Sequence, residues 1–333
     1  MRITVFGAGS WGCALAHQMA RRGHDVLLWA LEPEVAAGIN ADHRNPIFLT
    51  DAELHPAIRS TSDLEEAATH SHVWIWVVPV QFSRSVMDQL VPFLTDEVAV
   101  VSASKGIETE SLRRMDEVAE DALGISIHRF CCLSGPTFAI GVVHGDPSAA
   151  VLACRDMDLA AQLQEEFSDP YLRCYAGRDL IGVELAGALK NVVAIAAGII
   201  DGLGLGANTQ AALMTRGLHE ITRLGVALGA EADTFRGLAG MGDLVLTSTS
   251  PLSRNRQVGK RLGQGETLDE ILGSMREVAE GVKTTPAAAK LAQNLEIEMP
   301  ITQAMTAILL GTIAPKDALK MLMTRQLKVE TQL

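Results

Sequence analysis

The chain has 333 residues, enough for about two domains, and with 48% hydrophobic and 20% charged side chains it can bury sizeable cores and is not disordered. Its 28 basic and 40 acidic side chains leave a net charge of −12, which argues against a nucleic-acid partner and allows a small anionic ligand only where the few cations are concentrated. Five cysteines without C-x-x-C spacing and nine histidines without a ligand cluster read as reduced thiols in a cytoplasmic protein that holds no metal.

The N-terminus, M-R-I-T-V-F-G, has no signal-peptide architecture and moves directly from a short apolar run at 2–6 into Gly7-Ala8-Gly9-Ser10-Trp11-Gly12. An amphipathic segment follows to about Arg22. This is G-x-G-x-x-G between a strand and a helix, the context that a dinucleotide-binding turn requires. Gly7 permits the tight turn, Gly9 lets a pyrophosphate approach the backbone, and Gly12 lets helix and strand pack closely. The free N–H groups of the helix then face the phosphates.

A second strand, Asp25–Trp29, leads to Leu31-Glu32. An acidic residue at about this distance accepts the adenosine ribose hydroxyls, and Glu32 is the candidate; the alternative is that Glu32 only starts a helix over Pro33–Ile39. Further strands are expected over Val73–Val78, Val98–Ser102 and Phe130–Leu133, with shorter ones at Ala149–Ala153 and Tyr171–Tyr175. Apolar runs separated by helices indicate parallel strands covered on both faces. Their C-terminal ends carry the chemistry in such sheets, which draws attention to Lys105 and to Ser134-Gly135-Pro136-Thr137. Lys105 otherwise reads as a solvated loop lysine.

From residue 179 strand-like runs give way to helical periodicity, so residues 1–178 are expected to form a Rossmann-type α/β domain with a mostly parallel sheet, and 179–333 an all-helical domain. The second part opens with an apolar helix, Gly182–Gly198, interrupted by Glu184, Lys190 and Asn191. The run Leu180–Ile200 is long enough to span a bilayer, but these polar residues and the lack of basic flanks argue against it. An ammonium group in such a helix needs a carboxylate or a ligand, unless Lys190 snorkels out of a half-exposed helix. A long helix is expected over 208–228, a capping box at Thr267–Glu270, and helix starts at Ser250-Pro251, Thr285-Pro286 and Met299-Pro300. Two polar stretches stand out: the glycine-rich turn 237–242 that delivers Asp243, and Ser253-Arg254-Asn255-Arg256, which reads as a phosphate receptor or as a solvated basic turn.

Together the motifs GAGSWG at 7–12, SKGIE at 104–108, SGPTFA at 134–139, GVELAGALKN at 182–191, GLAGMGDL at 237–244, SRNR at 253–256 and EG at 280–281 resemble the bacterial NAD(P)-dependent glycerol-3-phosphate dehydrogenases over nearly the whole chain. The resemblance implies reduction of dihydroxyacetone phosphate to sn-glycerol 3-phosphate for glycerophospholipid synthesis, in a cytoplasmic and often dimeric enzyme. It implies cofactor contacts from Gly7, Gly9, Ser10, Trp11, Gly12, Lys105, Ala139, Arg254, Val278 and Glu280. The substrate would be surrounded by Lys105, Gly135, Thr137, Lys190, Asn191, Asp243, Ser253, Arg254 and Asn255, with Lys190 as proton donor or acceptor and Asp243 orienting it. Cys13, Leu31, Gly141 and Gln257-Val258 depart from the usual pattern. Leu31 beside Glu32 offers no cation to a 2′-phosphate, so NADH is expected to serve at least as well as NADPH.

The active site is expected in the cleft between the domains. Two rivals are a reductase of a 2-keto or 3-hydroxy acid carboxylate, which needs no Ser253–Arg256 receptor, and a cofactor-sensing module without chemistry, which needs neither Lys190 nor Asp243.

Overall fold

The computed structural model describes residues 1–275, 278–327 and 329–330, which divide into two compact units. Residues 1–105 and 113–184 form the first; residues 106–112 and 185–333 form the second.

The first unit is built on eight strands: β1 Arg2–Phe6, β2 Asp25–Trp29, β3 Arg59–Thr61, β4 Val73–Trp76, β5 Ala99–Ser102, β6 Phe130–Ser134, β7 Ser148–Cys154 and β8 Leu172–Gly177. Their order is β3-β2-β1-β4-β5-β6-β7-β8. Strands β1, β2, β4, β5 and β6 are buried at almost every position because both faces are covered. On one face Ile3, Val5, Val26 and Leu28 pack with Leu15 and Met19 of the Ser10–Arg21 helix. Alternation sends Phe6, Trp74 and Trp76 to the other face, where Phe6 stacks edge-on to Trp74 with centroids 5.3 Å apart. The buried indole of Trp76 donates to Ser83 Oγ at 2.9 Å, so its one polar atom is satisfied.

The sheet is mostly parallel, as expected, and two of its features were not read in the sequence. Strand β3 is polar Arg-Ser-Thr at an edge and carries no apolar pattern; Ser60 holds it by donating to Leu28 O at 2.8 Å. Strand β7 runs antiparallel to β6, although the other neighbouring pairs are parallel. The helix between them, Ala139–His144, has six residues. That helix rises only about 9 Å, whereas a parallel return must retrace the roughly 17–20 Å of a strand.

In the second unit the helix Leu180–Gly202, whose first residues belong to the first unit, is buried at every position from Gly182 to Ile200. Val192, Ile195 and Ile199 pack with Val258, Leu262, Val282, Ala304 and Met305 from the helices Arg254–Gln264, Gly281–Asn294 and Pro300–Leu309. Its membrane-like length and apolarity are those of a core helix. The 208–228 expectation corresponds to the helix Ala207–Ala227, and the Thr267 capping box forms, with Thr267 N donating to Glu270 Oε2 at 2.9 Å. Pro300 opens its helix as expected.

Two expected helix starts are corrected. Pro286 lies inside Gly281–Asn294 rather than at its start, because the Glu280 carbonyl already collects N–H groups from Lys283 and Thr284. Ser250-Pro251 ends one helix and turns; the next begins at Arg254, where Ser253 Oγ accepts the Arg256 N–H at 3.2 Å.

Candidate active site

In the first unit β1 ends at Phe6 and the glycine loop follows. Gly7 has φ +108°, and a Cβ there would press on the Val77 and Val78 backbone at 3.0 Å. A Cβ on Gly12 would lie 1.8 Å from Gly7 O, so only glycine lets the helix start so close to the strand. Gly9 has the opposite environment: a Cβ there would meet nothing within 4 Å. Gly9 precedes the Ser10–Arg21 helix, so the open space lies beside the helix start, where a pyrophosphate would approach the backbone. The loop therefore fits a dinucleotide. Ser10 and Trp11 are half-buried on that first turn. Cys13 is wholly buried beneath the loop, where its thiol donates to Ala8 O at 3.4 Å and Asn45 Nδ2 donates to the same carbonyl at 2.7 Å. Burial pushes the Cys13 thiol up to about 12, so it remains protonated and inert.

Beyond β2, Glu32 is half-buried and starts the helix Pro33–Asp42 through its backbone carbonyl alone; its carboxylate makes no capping bond. Leu31 is 70% exposed. Two arginines near this part of the chain are engaged elsewhere: Arg21 with Asp169 at 2.9 Å and Arg44 with Glu53 at 3.2 Å.

Lys105 is half-buried in the loop after β5, beside Ser104, which donates to Val78 O at 2.6 Å. Gly135 follows β6 so close to β7 that a Cβ would lie 2.7 Å from Ala149 O. Thr137 Oγ1 donates back to Gly135 O at 3.2 Å, and Ala139 opens the helix Ala139–His144. Glu184 does not partner Lys190. Its carboxylate accepts the Asp116 N–H at 3.0 Å and faces Arg114 Nε at 3.5 Å. Burial, with Asp116 beside it, holds that carboxyl well above the usual carboxylate range.

In the second unit the structure decides the Lys190 question. Lys190 is 6% exposed and does not snorkel; its ammonium donates to Asp243 Oδ1 and, at 2.8 Å, to Thr247 Oγ1. Asp243 is fully buried at the first position of the helix Asp243–Thr249, delivered there by one π-helical turn, Leu238–Gly242. Thr247, one helical turn later, donates to Asp243 Oδ1 at 3.1 Å. Sequence reasoning missed Thr247, although the i, i+4 spacing from Asp243 carried the signal. Asn191 is 4% exposed, yet its carboxamide makes no hydrogen bond to any described residue.

The Ser253–Arg256 turn divides by role. Ser253 caps the helix, and Asn255 Oδ1 accepts the Gly281 N–H at 2.9 Å, which fixes the residue after Glu280. Arg254 is exposed on the first turn, whereas Arg256 is bound to Asp201 Oδ2 at 3.0 Å. Of the two arginines that read alike in the sequence, Arg256 is thus paired within the protein and Arg254 is exposed. Gln257 braces the preceding turn by donating to Pro251 O at 2.8 Å. Val278 is half exposed and Glu280 starts the helix Gly281–Asn294.

Comparison with known proteins gives the same assignment over nearly the whole chain. Residues 2–160 match the N-terminus, and residues 179–320 the C-terminus, of the NAD-dependent glycerol-3-phosphate dehydrogenases. The chain belongs to this family. It is 53% identical to the glycerol-3-phosphate dehydrogenase [NAD(P)+] of Nitratidesulfovibrio vulgaris, covering 99% of this chain and 100% of that one. To the glycerol-3-phosphate dehydrogenase [NAD(P)+] of Geobacter metallireducens it is 52% identical, covering 99% and 98%. The crystal structure of glycerol-3-phosphate dehydrogenase from Coxiella burnetii superposes with a TM-score of 0.93 at 36% identity, covering 97% of this chain and 99% of that one. As in other glycerol-3-phosphate dehydrogenases, the cofactor is NAD(P).

Proposed function

We propose that this chain reduces dihydroxyacetone phosphate to sn-glycerol 3-phosphate with NAD(P)H, and that Lys190 is its proton donor, or acceptor in reverse. The observation that carries the reading is the buried Lys190–Asp243–Thr247 group, whose protein ligands leave the ammonium aimed by two fixed acceptors. The nicotinamide, when bound, supplies the hydride. As negative charge grows on the substrate oxygen, a positioned ammonium stabilises it and transfers the proton. Asp243 keeps that ammonium charged and oriented, and Thr247 fixes its direction. The Asn191 carboxamide is available to bind a substrate hydroxyl or carbonyl. Arg254, together with the N-terminal N–H groups of its helix, receives the phosphate.

In this reading residues 1–178 bind the dinucleotide through Gly7, Gly9, Ser10, Trp11, Gly12 and Glu32, with Lys105 and Ala139 contributing. Residues 179–333 bind substrate and carry out the proton transfer; Val278 and Glu280 add cofactor contacts, and Lys105, Gly135, Thr137, Ser253 and Asn255 substrate contacts. The exposed Leu31 and the uncommitted Glu32 support use of NADH at least as well as NADPH. The product is a backbone for glycerophospholipid synthesis, and a cytoplasmic homodimer is the expected form. The test is Arg254→Ala assayed with dihydroxyacetone phosphate and with unphosphorylated dihydroxyacetone. KM should rise for the phosphorylated ketone only; equal losses on both would remove the phosphate from this turn.

A further inference from the structure

Two charges in the second unit sit at the wrong ends of their helices. Asp201 is one residue from the C-terminus of Leu180–Gly202, where unpaired carbonyls repel a carboxylate. Arg256 is the third residue of Arg254–Gln264, where unpaired N–H groups repel a cation. The fold pairs them. Arg256 Nη2 lies 3.0 Å from Asp201 Oδ2, and Lys260, one turn further, reaches the same oxygen at 3.2 Å. The Arg256 side chain is 14% exposed, so the pair is partly desolvated and weakly screened.

The two helices also meet backbone to backbone. A Cβ on Gly198 would lie 2.0 Å from Arg256 O, and one on Gly259 would lie 1.9 Å from Ile195 O. At these two points no side chain separates the helix carrying Lys190 from the helix that opens with the Ser253–Asn255 turn. Around those points Val192, Ile195 and Ile199 pack with Val258 and Leu262, but apolar packing is non-directional and selects the axial register less sharply than a directional bond. A directional bond between charged groups supplies that selectivity.

We propose that Arg256 and Asp201 are positioning residues for substrate recognition. Their ion pair sets the register of the Ser253–Asn255 turn along the Lys190 helix, and so the span between the group that holds the phosphate and the group that protonates the carbonyl oxygen. Arg256 itself does not touch substrate. The inference rests on the reading of that turn as the phosphate receptor, and the experiment separates the two.

Arg256→Gln, Asp201→Asn, their double variant, Arg256→Lys and Arg254→Ala are assayed with dihydroxyacetone phosphate and with dihydroxyacetone, with a circular dichroism melt for each. Arg256→Gln and Asp201→Asn should each raise KM for the phosphorylated ketone about tenfold, the scale of coupling between paired side chains, and the double variant should be no worse than either. Use of dihydroxyacetone should be unchanged, and Arg256→Lys should recover most of the loss. If Arg256 binds phosphate directly, Asp201→Asn will leave KM unchanged or lower it, and the proposal is overturned. It is also overturned if both variants melt lower while KM stays at the wild-type value. Should Arg256→Gln fail to fold, Asp201→Asn and Arg256→Lys carry the comparison alone. Arg254→Ala is the control for the underlying reading: equal losses on both ketones would remove that reading and this inference with it.

Discussion

Replacing Asp243 with alanine leaves the Lys190 ammonium 94% buried and without its buried carboxylate, though still donating to Thr247, since Lys190 is 6% exposed and Asp243 fully buried. Breaking a buried ion pair by removing one member costs about 3–5 kcal/mol. The escape is for the lysine to become neutral, and an ammonium of ordinary pKa about 10.4 costs roughly 4.6 kcal/mol to deprotonate at pH 7. The two routes cost nearly the same, so Asp243→Ala should lose about 3–5 kcal/mol by either one, and a neutral lysine has no proton to give. Turnover at neutral pH should fall at least about a hundredfold, the lower range for a general acid. The four tryptophans lie at positions 11, 29, 74 and 76, all in the first unit, so fluorescence would miss the damage. Urea unfolding followed by far-ultraviolet circular dichroism, with initial rates of NADH oxidation, provides the assay. A loss below about 1 kcal/mol together with a rate within threefold of wild type would refute the reasoning, since surface changes commonly fall within about ±0.5 kcal/mol.

Gly9→Ala should melt like the wild type, because its Cβ meets no protein atom, yet bind NADH at least about tenfold more weakly by titration, because the methyl occupies the pyrophosphate's path. Leu31→Arg should move the kcat/KM ratio toward NADPH; no movement would mean that position 31 does not face the adenosine ribose. Glu220 accepts the Ile301 and Thr302 N–H groups, and burial pushes its carboxyl up to about 7 despite them. A carboxyl raised in the folded state contributes fully below its unfolded value near 4.5 and loses that contribution as pH rises through 7, a span of about 3 kcal/mol. Melting temperature should therefore fall from pH 4.5 to 7.5 less steeply in Glu220→Gln than in the wild type.

The sequence showed most clearly what solvent exclusion enforces. An isolated ammonium in an apolar helix needs a partner wherever the helix packs, so Lys190 could be singled out from its segment, while Asp243 was tied to it only by the family resemblance. Glycines whose Cβ would strike backbone, as at Gly12, are similarly constrained. What stayed hidden depends on neighbours distant in the chain. Arg256 looked equivalent to Arg254 because nothing local shows that Asp201 lies opposite it. Thr247 looked like one more polar residue in V-L-T-S-T. The direction of β7 could not be read because a buried apolar strand has the same composition either way up, and β3 because an edge strand needs no apolar face. Pro286 resembled a helix start because the true start at Gly281 is capped by backbone carbonyls rather than by a recognisable side chain.

The most direct measurement is the turnover of Lys190→Ala with dihydroxyacetone phosphate, alongside its dissociation constant for NADH. Cofactor binding should stay within about threefold of wild type while kcat falls by on the order of 10²–10⁴. A variant that retains more than about a tenth of the wild-type rate, a barrier change of only about 1.4 kcal/mol, would contradict the assignment of Lys190 as the proton donor.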